Sequence, residues 1–357
     1  MHRIHSTITA FIVGSTLITA SFAITVLTTP RTIVTADSGI QIHAVVPEQF
    51  PTSPTAIKNE ATLFVAGDIM LSRNVDATMK KQKDFSYPYT AIQAHLDSAD
   101  IRFANLETPL TKGKPVKTGS FTFRADSENA AALKKAGFDI LSLANNHTMN
   151  FGSKGMKDTL LALDNAGIAH SGAGMNFDEA HRPAYITKNG ITVAFLSYND
   201  PSVVPTSYFA DAKNAGTALM DIPQLKKDIT TAKQNADLVF VSMHAGIEYT
   251  GIPNTFQKNF ARAAIDAGAD LIIGHHPHTV QIVEKYKGKT IIYSLGNFIF
   301  DQMFSRETRE GMTAMIHFNK TGVTNIEYTP ILIENYAQPR ILIGDDAKRV
   351  LQKLNAK

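Results

Sequence analysis

The chain has 357 residues, room for one large domain or two small ones, and its 44% hydrophobic content is enough to fill a sizeable core. With no cysteine, disulfides, thiolate metal sites and a cysteine nucleophile are excluded, so any metal has to be held by His, Asp, Glu or Asn, a donor set suited to Mn, Fe, Zn or Mg. A net charge of +3 is too mild to argue for nucleic acid.

From Ser6 to Pro30 there is no charged residue and no polar face. The run is long enough to span a bilayer, which takes about 20 apolar residues. It reads either as an uncleaved signal anchor or as a cleaved signal peptide. Its length and the lack of a closing A-x-A site favour the anchor over residues 1–30. Arg3 and the nearby histidines favour an N-in orientation, against the weaker bias of Arg31. The expectation is a single-pass protein of the cell membrane with its body outside. Residues 31–58 carry Pro47, Pro51 and Pro54 among Ser and Thr and read as a linker. A globular domain is expected over 59–335 and a C-terminal tail over 336–357.

Within the domain, "ATLFVAG", "ADIRFAN", "FDILSLAN", "ITVAFLSY", "DLVFVSMH", "DLIIGHH" and "TIIYSLGN" read as buried strands. Between them, "SENAAALKKAG", "SKGMKDTLLALDNAG", "IPQLKKDITTAKQNA" and "NTFQKNFARAAIDAG" read as amphipathic helices. The alternation predicts an α/β fold. The stretch "GMTAMIHFNKTGVTNIEYTPILIE" reads as a hairpin that closes the domain.

The chemistry sits where the strands end. Asp68 follows the first and Glu107 the second. Asn145, Asn146 and His147 follow the third, His244 a later one, and His275, His276 and His278 the next. A lone aspartate there is ordinarily a cap or turn residue, and a lone histidine a satisfied polar group. Their shared position is what matters. Ligands bind at the carboxyl ends of strands in open α/β sheets, and this set brings carboxylates and imidazoles to one edge, which is a metal-site constellation.

In order, "GDIMLSR", "ANLETPL", "LANNHTMNFGSKGM", "HAGIEY", "GADLIIGHHPHTVQ" and "YSLGNFIFD" resemble the motif series of the CapA/PgsA-type poly-γ-glutamate capsule biosynthesis proteins, within the calcineurin-like metallophosphoesterase superfamily. The resemblance runs from Thr62 to Asp301 and implies a four-layer α/β/β/α sandwich of the metallo-dependent phosphatase type behind an N-terminal transmembrane helix. It implies Asp68, Glu107, Asn146, His244, His276 and His278 as ligands of one or two divalent ions. It also implies His147 as the histidine that contacts a phosphate or protonates a leaving group, while Arg73, Glu248, Tyr249 and Asn297 fall in its motifs with no assigned role. The catalytic candidates are His147, Arg73 and Glu248, with Asn145, His275, Tyr249, Asn297 and Arg124 expected to line the site. His275 is expected either behind the ligands or against a phosphate.

Three positions depart from the family pattern. Met70 stands where the superfamily carries a histidine, which predicts one ion held tightly and a second weakly. Asn150 and Ala245 replace a common Asp and a common Trp. The implied role is a membrane-anchored accessory subunit of a poly-γ-glutamate synthesis and export complex. Its partners would be a ligase, multispanning membrane subunits and the anionic polymer, the last contacted by Lys112, Lys114, Lys117 and Arg124. The alternatives are a free-standing metal-dependent phosphoesterase or amide hydrolase at the cell surface, and a binding protein that has lost full metallation.

Overall fold

A computed structural model describes residues 59–116, 119 and 121–355. The expected anchor over 1–30, the linker over 31–58 and Lys117 lie outside the described residues. Among the described residues no helix is long and apolar enough to cross a membrane.

In chain order the strands are β1 (Ala61–Ile69), β2 (Ile101–Leu106), β3 (Ile140–Ser142), β4 (Ala169–Ser171), β5 (Ala173–Gly174) and β6 (Ala184–Lys188). They continue with β7 (Ile191–Asn199), β8 (Gly216–Thr217), β9 (Leu238–His244), β10 (Leu271–His275) and β11 (Val283–Tyr286). The last are β12 (Lys289–Ile292), β13 (Asn297–Ile299), β14 (Glu310–Asn319), β15 (Gly322–Glu334) and β16 (Gln338–Ile341). One sheet runs β16-β15-β14-β1-β2-β3-β4, with β13 pairing on β1; a second runs β11-β12-β10-β9-β7-β6. The short β5 and β8 pair with each other.

Alternation along the strands builds the layers. Leu63, Val65, Ile101 and Phe103 of the first sheet share a buried cluster with Val193, Phe195, Phe240 and Ile273 of the second, so the sheets pack face to face. The opposite faces, carrying Phe64, Ala104 and Leu141 on one side and Leu196, Val241 and Ile272 on the other, pack against helices. Those helices start and stop where local chemistry dictates. Asn254 and Gln257 form a reciprocal capping box at the start of Thr255–Asp266. Gly167, at φ 67°, closes Gly152–Ala166 in the left-handed conformation.

Two expectations need correction. "TIIYSLGN" is not one strand: β12 ends at Ile292 in the second sheet, and the chain crosses over so that Asn297 opens β13 beside Asp68 in the first. Nor is the expected tail over 336–357 a mere tail behind a closing hairpin, as its described residues 336–355 are docked. β16 adds to β15, the helix Gly344–Gln352 follows, and Leu342, Val350 and Leu354 are buried in the core. Buried Glu310 draws this helix in, accepting hydrogen bonds from Arg349 Nη1 at 3.1 Å, Lys353 Nζ at 2.9 Å and Arg306 Nε at 2.8 Å.

Candidate metal centre

Asp68 reaches the space between the sheets because β1 is irregular. Val65 pairs with Phe103 but Asp68 with Asn105, three residues against two, so an extra residue shifts the alternation and turns Asp68 onto the face of Val65. Gly67 permits this: a Cβ there would lie 1.9 Å from the carbonyl oxygen of Gly296. Glu107 follows β2, and its backbone N–H bonds to the carbonyl of Ile69 at 2.8 Å.

Six donors converge. Carboxylate oxygens of Asp68 and Glu107 and a ring nitrogen of His244 lie within 4.8 Å of one another, all three residues being buried. His244 Nε2 is 3.0 Å from Asn146 Oδ1 and 3.1 Å from His276 Nδ1. His278 places Nδ1 3.5 Å from Asp68 Oδ2 and Nε2 3.8 Å from Glu107 Oε1. His276 and His278 take positive φ, 97° and 56°, as do Arg73 at 53° and Tyr249 at 62°. Such conformations cost about 1–3 kcal/mol each and gather at functional sites.

Burial dominates the electrostatics. It holds His244 well below its usual range and pushes His147 and His276 down to about 3, so these rings are neutral. Burial also opposes charge on His278, yet Glu107 and Asp68 outweigh it and lift that ring to about 9. Burial opposes ionisation of Asp68 as well, but the close imidazoles of His275 and His278 carry it well below the usual carboxylate range. For Glu107, burial and the nearby Asp68 act together and hold the carboxyl well above its usual range.

The residues present fit a divalent cation. Both carboxylate oxygens of Glu107 are buried and have no hydrogen-bond partner among the described residues. The ring nitrogens of His147 and His278 stand off at 3.5 and 3.8 Å. A buried carboxylate in that condition is costly unless a charge meets it, and hard oxygens with imidazoles are the donor set of a first-row or alkaline-earth ion.

The cluster opens into a cleft of about 470 Å³ lined by Arg73, Phe123, His147, Glu248, Tyr249, His278 and Asp301, among others. Arg73 pairs with Asp301, which also accepts from the backbone N–H of Asn74 at 3.1 Å. The Arg73 guanidinium lies 4.7 Å over the ring of Phe123, whose centroid is 4.0 Å from that of His147. Phe121 and Phe304, 71% and 69% exposed, stand among the lining residues.

The remaining candidates fall into two groups. Behind the donors are Asn297, 2.9 Å from His278 Nδ1, and Asn145, bonded to Asn105. His275 is there too, fully buried with Nδ1 3.2 Å from Asp68 Oδ1, so it has no access to a phosphate. Arg124 is not among the residues lining the cleft. Phe123 and Ala125 are buried on either side of it, and the alternation turns Arg124 to solvent. Met70 is buried, with its sulfur 3.1 Å from the N–H of Ser72. Sequence reasoning missed Asp301, Phe123 and Asn105. For Asn105 a signal existed, because it continues the inward stripe Ile101, Phe103 as a polar residue.

Residues 62–302 match the family model described as "Bacterial capsule synthesis protein PGA_cap". The chain is 35% identical to the capsule biosynthesis protein CapA of Bacillus anthracis over 82% of its own length and 72% of that protein's. It is 38% identical to the PGA biosynthesis protein CapA of Bacillus subtilis over 79% and 74%. A solved structure, the calcineurin-like phosphoesterase YfkN of Bacillus subtilis, aligns at a TM-score of 0.48 and 14% identity, covering 83% of this chain and 96% of that one. The family match spans most of the described domain and takes in every donor of the cluster, and the chain belongs to the bacterial capsule synthesis protein PGA_cap family.

Proposed function

We propose that the chain is a membrane-anchored accessory subunit of a capsule-polymer synthesis and export complex, with a metallophosphatase-like hydrolytic site in its outward-facing domain. The names of the two CapA relatives support the capsule part. The hydrolytic part rests on one observation: the unpartnered Glu107 carboxylate, ringed by donors at the end of a solvent-accessible cleft. Asp68, Glu107, Asn146, His244, His276 and His278 would hold the cation. When bound, it would supply Lewis-acid charge to polarise a phosphoryl or carbonyl oxygen.

The chain's own groups divide the rest of the work. Asn150 Oδ1 accepts the backbone N–H of Phe123 at 3.1 Å, which fixes it as the oxygen; His147 Nδ1, 3.0 Å away, therefore donates to it. The neutral ring then presents Nε2 as a lone pair toward Glu107, placed to accept a proton. Arg73, held by Asp301 and Phe123, offers a fixed cation to a carboxylate or phosphate in the cleft. Lys112, Lys114, Lys117 and Arg124 form a basic stretch that a polyanion would contact, an attraction screened over ~10 Å at 0.1 M salt. The partners proposed are a polymer ligase and multispanning membrane subunits.

The test is a gene deletion complemented with the full chain or with His276→Ala. The full chain is expected in the membrane pellet, resistant to carbonate, and to restore surface polymer; His276→Ala is expected to leave the cells bare. Surface polymer unaffected by the deletion would remove the capsule role. A second reading, a free-standing hydrolase at the cell surface, is favoured by the cleft alone. It would gain if the purified protein turned over a model phosphodiester with Mn while polymer was unchanged.

A further inference from the structure

We infer that Asn105 is a positioning residue: through a relay of two side-chain amides it fixes which nitrogen of His244 carries the proton. The relay starts from groups whose roles are not in doubt. Asn145 Oδ1 accepts the backbone N–H of His147 at 3.1 Å and of Thr148 at 3.0 Å. Asn145 Nδ2 donates to the carbonyl of Leu106 at 2.8 Å. Backbone N–H groups only donate and carbonyls only accept, so the orientation of this amide is unambiguous.

Its second N–H points at Asn105 Oδ1, 3.1 Å away. That orients Asn105 in turn and leaves its Nδ2 facing Asp68 Oδ1 at 2.8 Å and His244 Nδ1 at 3.3 Å. An amide nitrogen has two hydrogens, one for each of these partners. Facing a donor, His244 Nδ1 is an acceptor, and the neutral ring carries its hydrogen on Nε2. Asn146 Oδ1 lies 3.0 Å away to accept it, with His276 Nδ1 beside it at 3.1 Å.

The consequence concerns the cation, and it rests on the reading of this cluster as a cation site. His244 Nε2, Asn146 Oδ1 and His276 Nδ1 converge, yet in the free chain Nε2 holds a hydrogen where a ligand needs a lone pair. To ligate there, His244 has to shift its hydrogen to Nδ1, where the Asn105 amide offers it no acceptor. Asn105 therefore lowers the affinity of this trio below what the same donors would otherwise have. An aspartate at 105 would keep one oxygen for Asn145; the other, protonated because Asp68 Oδ1 lies 2.8 Å away, would donate to Asp68 and accept from His244 Nδ1, favouring the hydrogen at that nitrogen.

The experiment is a long-range ¹H–¹⁵N NMR spectrum of the metal-free full chain in detergent, with Mn titrations of the same proteins by calorimetry. The wild type should show the Nε2–H tautomer at His244 and Asn105→Asp the Nδ1–H tautomer. Outer partners of metal ligands typically move affinity by 10–100-fold, and Asn105→Asp should tighten Mn by roughly 10-fold. If Asn105→Asp does not fold, Asn105→Ser, which removes the fixed donor, should leave the two tautomers mixed. An Nδ1–H tautomer in the wild type, or one tautomer throughout, would overturn the inference. A tautomer switch with no Mn uptake by any protein would uphold the role of Asn105 and sink the cation reading instead.

Discussion

Replacing Glu107 with methionine should stabilise the metal-free protein and destabilise the metal-loaded one. Glu107 is fully buried, and neither carboxylate oxygen has a hydrogen-bond partner among the described residues. Leaving a buried polar group unsatisfied costs about 1–3 kcal/mol, more when it is charged. His278 Nε2, 3.8 Å away, returns part of that through attraction, so the net gain from methionine, similar in length and apolar, is about 1–2 kcal/mol. In a domain of this size each kcal/mol moves Tm by roughly 2 °C, so in chelator Glu107→Met should melt about 2–4 °C above the wild type. With Mn at 100 times its Kd the wild type gains about 2.7 kcal/mol, roughly 5 °C, and the variant gains little. The assay is differential scanning calorimetry of both proteins in chelator and in Mn, and the expected signature is a reversal of their order. A variant that melts below the wild type in chelator, or that responds equally to Mn, would refute the idea that Glu107 is kept for a cation at the expense of the fold.

Two further predictions concern the frame around the site. Burial opposes the charge on Glu310, but Arg349, Lys353 and Arg306 hold its pKa at about 2, below the ordinary 4.5. Stability from this clamp is therefore complete above pH 4.5 and lost as pH falls toward 2, about 3 kcal/mol in all. Acid unfolding of Glu310→Gln should lack that component, and acid profiles that superimpose would count against it. At Gly67 an added Cβ would lie 1.9 Å from a backbone oxygen that cannot swing away, so Gly67→Ala should lower stability by about 2 kcal/mol or more and disturb the pairing of β13. A variant with unchanged Tm and unchanged metal content would contradict the role given to the irregularity in β1.

Much of this arrangement was legible before any coordinates. Apolar runs ending in Asp68, Glu107, Asn146, His244 and His276 marked strands and their carboxyl ends, since buried parallel strands are near-continuous hydrophobic stretches. Which way a side chain faces was harder to read. Simple alternation from Leu63 and Val65 would send Asp68 outward, and only the extra residue in β1, allowed by Gly67, brings it in. The crossing between β12 and β13 left no mark either, because "TIIYSLGN" has the composition of one strand while its halves serve two sheets. Asp301 closes the motif "YSLGNFIFD", but nothing in the sequence pairs it with Arg73 or pairs Glu310 with Arg349; only tertiary packing brings those partners close. The C-terminal helix, short and highly charged, has few apolar positions to advertise that it is docked.

The most direct measurement is the metal content of the purified full chain, by elemental analysis after exposure to Mn, Zn, Fe and Mg and extensive dialysis. One tightly retained ion per wild-type chain is expected, a second held weakly or lost on dialysis, and none in His276→Ala. A wild-type chain that retains no ion under any of these conditions, or a His276→Ala chain that retains as much as the wild type, would contradict it.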